Sequence, residues 1–363
     1  MMKKIILNSL MILLLLAAVF VLPIFYPAGM AVYFRLLLLL LLLAAGFQLF
    51  KTLCIDRQVS PIIANTATVL FSLFVIFILL EAVFMFIPRS HSADYTLASK
   101  LWYAKYWKPI NSLGFRDQEP DNKHPVILFV GDSFTAGHGL KSVSERFSDI
   151  VGEELNKKQQ KYTIVNIGRP NLDSRGEYET MMNFLYLTRI KPAKIILQYC
   201  GNDIEGAAAR NGLIFDGFRP PDDMSKFTVF IGAGSYVFNY LYFLFPREYL
   251  GMSYINYLTD AYKNDKVMAN HKEDLMLFVD YARKNSIPLV VVVFPFLADI
   301  KMSNAMYVND IVSFFEANKL RVINVSKLVE KTPVEDRVVN KNDTHASAKL
   351  NKMIAREILN KLE

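Results

Sequence analysis

A serine becomes a useful nucleophile only beside a base, and one serine in this chain has the setting for it. In VILFVGDSFTAG (126–137) an apolar run, Val126–Val130, stops at Gly131. Asp132 and Ser133 follow, then the small residues Thr135, Ala136 and Gly137. Such a run reads as a parallel strand buried on both faces, and the turn after it puts Ser133 at the carboxyl edge of a sheet, where open α/β folds hold ligands. The base must come from His91, His124, His138, His271 or His345. His91 and His124 fall in an irregular entry segment. His138 shares the serine's turn but has no acidic neighbour in the sequence, and His271 is expected to open a helix far from any strand end. His345 lies on a polar loop about twenty residues after the last expected strand, just before the closing helix, with Asp343 two residues before it. On an extended segment those two side chains face one way. A carboxylate so placed fixes the imidazole tautomer and stabilises its charged form.

An acyl-transfer oxyanion also needs donors. Gly168 follows the run Thr163–Ile167, and Gly201-Asn202-Asp203 follows Lys194–Cys200. There a glycine can offer an unobstructed N–H and an asparagine its side-chain amide. With the Ser133 N–H they would make three donors on one sheet edge. No cluster of histidine or cysteine ligands surrounds His345 and no phosphate-cradling glycine loop occurs, so the expectation is no metal and no cofactor.

These residues need a scaffold. Strands are expected at Val126–Val130, Thr163–Ile167, Lys194–Cys200, Leu289–Phe294 and Arg321–Val325. Helical patterns at Arg146–Lys158, Glu177–Ile190, Lys272–Asn285, Asn309–Asn318 and Ala346–Leu362 alternate with them. Alternation of this kind means a five-stranded parallel sheet covered on both faces. About seventy residues between Asn202 and the third helix break the rhythm, aromatic from Phe227 to Tyr257. They read as an insertion over about 205–270, a cap beside the site that dips into a lipid surface, with an extra packed helix pair as the plainer alternative.

GDSFTAG (131–137), Asn166-Ile-Gly168, Gly201-Asn202-Asp203 and Asp343-Thr-His345 together resemble, in order and spacing, the four blocks of the SGNH hydrolases, the GDSL-type esterases and lipases. The likeness covers roughly residues 110–363. Asn111–Arg116, NSLGFR, also resembles a lead-in of membrane-attached bacterial members. The resemblance implies a flavodoxin-like three-layer α/β/α fold, with Ser133 as nucleophile, His345 as base and Asp343 as its partner. It implies an oxyanion hole from the Ser133 N–H, the Gly168 N–H and the Asn202 amide. Two positions depart from the pattern. Many members carry the acid three residues before the histidine, where Asn342 stands, and the second block usually has another glycine at the place of Asn171.

The chain has 363 residues, 53% hydrophobic, and a mean hydropathy of +0.23, too apolar for an ordinary soluble enzyme. The excess lies in the first 88 residues. Ile5–Tyr26 is about 33 Å long as a helix, enough to cross a bilayer. The turn Pro27-Ala28-Gly29 separates it from Ala31–Phe50, and a polar connector separates that from Pro61–Ile87. Three spans are expected over 1–88. A cleaved signal peptide is the alternative for the first. Lys3, Lys4, Lys51 and Arg57 mark the cytoplasmic ends and place 89–363 outside, on a bacterial inner membrane. Glu81, near the end of the third run, is expected to snorkel to the interface. A net charge of +7 without a basic block reads as a solvated surface, and no nucleic-acid motif is present. Cys54 and Cys200 are not expected to meet.

Three functions fit. One is an extracytoplasmic esterase removing acyl groups, acetyl among them, from a surface glycan or lipid. The second is an O-acyltransferase, with a sugar hydroxyl as acceptor and a membrane acyl-donor partner. The third is a non-catalytic tethered scaffold, which an intact Ser133, Asn202 and His345 disfavour.

Overall fold

The computed structural model describes residues 2–25, 30–55, 59–92, 96–157, 159, 161–215, 225–244 and 248–362. The turn at 27–29, and Asp56 and Arg57 of the connector, lie outside the described residues. The chain divides into two compact units, Met1–Lys105 with Pro220–Arg247, and Tyr106–Arg219 with Glu248–Glu363.

The first unit is helical. Its long helices are Met2–Phe25, Met30–Phe50 and Pro61–Phe84. Two stretches, Tyr33–Cys54 and Pro61–Phe84, are helical, long and apolar enough to cross a membrane, whereas the described apolar part of the first run, Ile5–Val19, is shorter. Leucines such as Leu14, Leu40, Leu70 and Leu73 face outward. Inside sit two charges that apolar surroundings tolerate only as a pair. Arg35 and Glu81 are both almost fully buried, with Nη2 2.9 Å from Oε2. Glu81 does not snorkel. It accepts hydrogen bonds from the Ser235 hydroxyl and, at 3.1 Å each, from the N–H groups of Tyr236 and Val237. Arg35 donates to the carbonyls of Val19 and Gly234.

Those contacts account for the aromatic insertion. Helices Lys226–Gly234 and Tyr236–Leu244 are separated by Ser235. At that break one helix has carbonyls without intrahelical partners and the next has N–H groups without them. Arg35 satisfies one set and Glu81 the other. Residues 226–244 therefore belong to the helical unit rather than to a cap on the sheet, and that unit reaches past residue 88 to Lys105.

The second unit carries the sheet: β1 Val126–Val130, β2 Thr163–Asn166, β3 Pro192–Tyr199, β4 Leu289–Val293 and β5 Arg321–Asn324. All pairs are parallel and the order is β2-β1-β3-β4-β5. This is the flavodoxin-like doubly wound order, with the strand order reversing at β1. Leu128 and Val130 of β1 pack with Met181, Phe184, Phe278 and Phe315 from the helices on one face. Ile127 and Phe129 pack with Val151, Leu350, Ile354 and Ile358 on the other. Strands buried on both faces must be apolar throughout, which is why they read so clearly. One element runs against expectation. Asp343-Thr-His345 is not loop: β7, Asp343–Ala346, pairs antiparallel with β6, Val338–Asn340.

Candidate active site

β1 ends at Gly131, whose φ is +157°. A Cβ there would lie 2.3 Å from Thr135 Oγ1 and 2.4 Å from Gln198 Oε1, so only glycine fits. Asp132 then caps the short helix Ser133–Ala136, accepting from the Phe134 N–H at 2.9 Å. Ser133 is thus the first residue of a helix, where backbone N–H groups have no intrahelical acceptor.

The hairpin β6–β7 brings His345 to Ser133. His345 Nε2 lies 2.8 Å from Ser133 Oγ, and His345 Nδ1 lies 2.6 Å from Asp343 Oδ1. Asp343 is fully buried, and its Oδ1 also accepts the His345 backbone N–H at 3.2 Å. Oδ1 fixes both the ring and its backbone, which selects the tautomer with a proton on Nδ1 and an acceptor at Nε2 facing the serine. Asn342, at the other family spacing, serves the turn instead, with its N–H on Asn340 Oδ1.

The expected donors fare differently. Asn202 sits in the turn after β3, and its amide donates to Asp132 Oδ2 at 3.0 Å, beside the nucleophile. Gly168 follows β2. Its N–H is taken by Asn166 Oδ1 at 3.0 Å. Its lack of a side chain serves packing, because a Cβ would lie 2.4 Å from the Ala136 N. Asn166 in turn donates to the Thr135 carbonyl and Ser148 Oγ, both at 2.8 Å, so the second block braces the serine helix. Asn171, where a glycine was expected, adopts φ 63°, the left-handed conformation that glycine and asparagine tolerate.

Sequence reading missed several supports. Gln198 of β3 accepts from the Asp132 N–H at 3.0 Å, the Thr135 N–H at 3.3 Å and the Thr135 hydroxyl at 3.0 Å. Nothing in an apolar strand pattern announces one buried amide. Asn111 closes the NSLGFR turn by accepting from the Leu113 and Phe115 N–H groups. That turn aims Arg116 at the carbonyls of Gly137 (2.6 Å) and Leu140 (2.8 Å), which follow the serine helix. His138 has an acidic neighbour after all, since its Nε2 is 3.7 Å from Asp343 Oδ2. Neither does His271 open a helix. It is buried inside Asp265–Lys284, with Nε2 2.8 Å from the hydroxyl of Tyr199 at the end of β3. Burial pushes its pKa down to about 3, so it stays neutral.

Acids crowd beneath the loops. Burial pushes the Asp132 carboxyl up, while the Phe134 N–H and the Asn202 amide pull it back. Glu177 and Asp203 are both buried, and burial raises each well above the usual carboxylate range, reinforced by neighbouring aspartates. Neither Glu177 oxygen has a hydrogen-bond partner among the described residues. A carboxyl raised in the fold binds its proton more tightly folded than unfolded. The resulting stability is complete below the unfolded value of about 4.3 and fades as pH climbs through the folded value. Glu177→Gln removes one such group. Its melting temperature should decline less than the parent's between about pH 4.5 and 8, measured on the full chain in detergent. A steeper decline would show that Glu177 is charged in the fold.

His138, Asp343 and His345 are the group among the described residues whose atoms lie close enough to share a cation. However, Asp343 Oδ1 and both His345 ring nitrogens are already engaged with one another and with Ser133. The arrangement fits proton transfer to and from a serine.

No protein-family model matches the chain, and no curated protein matches it. Among solved structures it is similar to TesA, at 14% identity and TM-score 0.41 over 66% of this chain and 98% of that one. It is also similar to the psychrotrophic esterase EstA from Pseudoalteromonas sp., at 12% identity and TM-score 0.39 over 66% and 96%. A third is AlinE4, an SGNH-hydrolase family esterase, at 15% identity and TM-score 0.37 over 67% and 97%. Likeness at this level concerns the fold alone.

Proposed function

We propose that the chain is a membrane-anchored, extracytoplasmic serine esterase that cleaves acyl esters of a surface glycan or lipid. The observation that carries this reading is the hydrogen-bonded line Ser133–His345–Asp343 at 2.8 and 2.6 Å, on the carboxyl edge of the sheet. Ser133 Oγ attacks the ester carbonyl carbon as His345 Nε2 takes its proton. The same nitrogen returns that proton to the departing alkoxide, leaving an acyl-serine. A water then attacks, His345 takes its proton, and the acid leaves as Ser133 is reprotonated. The oxyanion finds the Ser133 N–H and the Asn202 amide. Asn202→Ala should lower kcat by about 10²–10³ with little change in KM. A change confined to KM would remove Asn202 from the oxyanion site.

The test uses the full chain in detergent with a chromogenic acetyl ester and a serine-reactive phosphonate, the inhibitor class named for the EstA structure. Hydrolysis and a single adduct on Ser133 are expected. An intact, folded chain that neither turns over the ester nor takes the label would overturn the reading. Adding candidate glycans then asks whether a sugar hydroxyl competes with water, which would turn the esterase into a transferase using the same residues. The orientation is tested by a reporter active only outside the cytoplasm, fused after Glu363. A silent fusion would overturn the extracytoplasmic placement.

A further inference from the structure

We propose that His138 is a positioning residue for the base: a second imidazole on Asp343 that braces the His345 ring and tempers its basicity. The proposal rests on the triad reading above. Asp343 has two oxygens, and two histidines approach them. Oδ1 serves His345, while the His138 Nε2 stands 3.7 Å from Oδ2, within reach of a hydrogen bond after a small shift. The His138 ring lies on the His345 ring, centroids 4.2 Å apart and planes 29° from parallel. Both histidines are mostly shielded from water, His138 at 2% exposure.

The chain is shaped to put His138 there. Its N–H donates to the Ser133 carbonyl at 2.9 Å. Gly137 and Gly139 on either side have φ of 73° and 83°, the left-handed region. A Cβ on Gly139 would lie 2.7 Å from Asp343 Oδ2, and one on Gly137 would lie 2.6 Å from Arg146 Cγ. Arg116 holds the Gly137 and Leu140 carbonyls on both sides of the turn. Ser133 and His138 therefore hang from one short, clamped segment, one at each end, and both face the same hairpin.

The consequence is electrostatic. As His345 takes the serine proton, its new charge is stabilised by Asp343. A His138 N–H that closes the 3.7 Å gap to Oδ2 would draw on the same carboxylate, so that His345 would hold its proton less tightly than it would alone. The groups facing His138 include Asp343 and His345 from the hairpin and Trp107, whose ring centroid is 6.2 Å away. The nearest fixed charges are Arg116, stacked on Trp107 at 4.8 Å, and Arg146, paired with Asp117 and Asp149. Both arginines stay charged throughout the working range. The pH response therefore belongs to the two histidines and their shared carboxylate.

The experiment compares the full-length parent with His138→Phe and His138→Gln. The readouts are the pH profile of kcat/KM on the acetyl ester and the rate of phosphonate labelling. His138→Phe keeps a stacked ring but removes the N–H. Its acidic limb should move to higher pH by about one unit, with kcat reduced. His138→Gln restores an N–H near Oδ2 and should return the limb toward the parent's position. A Phe profile superimposed on the parent's, or equal losses in both variants with an unmoved limb, would overturn the proposal in favour of packing alone. A parent that is not labelled at Ser133 would instead overturn the triad itself, so the two failures are distinct.

Discussion

Ser133→Ala is expected to reduce ester hydrolysis by about five to six orders of magnitude in kcat, the scale seen when an acyl-serine nucleophile is removed. The structure makes this a clean test. The Ser133 hydroxyl is bonded to His345 Nε2, whereas the loop around it is held by other groups: the Asp132 cap, the Gln198 amide and the Arg116 guanidinium. Alanine is also a good helix residue at the first position of Ser133–Ala136. The melting temperature should therefore stay with the parent's while phosphonate labelling disappears. Retention of even a tenth of the parent activity would mean that another group attacks the ester.

Asp343→Asn should cost about 10³–10⁴ in kcat/KM at neutral pH, about a hundredfold less than loss of the attacking oxygen, although Asp343 touches no substrate. Asparagine preserves size, and its oxygen can still accept the two bonds that Oδ1 receives from His345. It lacks the charge that stabilises the imidazolium formed when Ser133 gives up its proton. Its amide nitrogen would also turn toward His138, offering hydrogen atoms where the carboxylate offered a lone pair. The measurement is kcat/KM across pH with the melting curve alongside. An unchanged kcat/KM would make Asp343 a cap of the hairpin only, leaving His345 oriented by stacking.

How much of this was visible in the sequence depended on whether the signal was local. The five strands were, most plainly the central β1 and β4, which are buried and apolar at every position, so that Val126–Val130 or Leu289–Val293 can hardly read otherwise. That Ser133, His345 and Asp343 come together was legible because each sits in the loop or hairpin that follows the core of the sheet. The hairpin holding Asp343 and His345 was not, since short polar strands carry no hydrophobic period. Gly168 looked like a donor because glycine exposes its N–H. Only the fold shows the Asn166 side chain turning back to occupy it. His138 looked unpaired because its acid lies 205 residues away in sequence and the two meet through a turn of left-handed glycines. The aromatic insertion misled for a similar reason. The aromatic run Phe227–Tyr257 does not say what it packs on: residues 226–244 join the helical unit, where the partners of Gly234 and Ser235, Arg35 and Glu81, are about 150 to 200 residues upstream, and Glu248–Lys263 belongs to the second unit.

That last pairing bears on how the protein can be made and taken apart. Arg35 and Glu81 emerge from the ribosome well before Ser235, so the helical unit is finished only when a segment from the middle of the chain arrives to complete it. A cut at residue 88 would not release a free-standing enzyme. It would leave the 226–244 helices, in which Tyr236 and Val237 are buried, without the residues they pack on, and would take from Arg35 and Glu81 the Gly234 carbonyl, the Ser235 hydroxyl and the Tyr236 and Val237 N–H groups that complete their hydrogen bonding. The chain is threaded rather than beaded, and its intact length is the natural object for the measurements above.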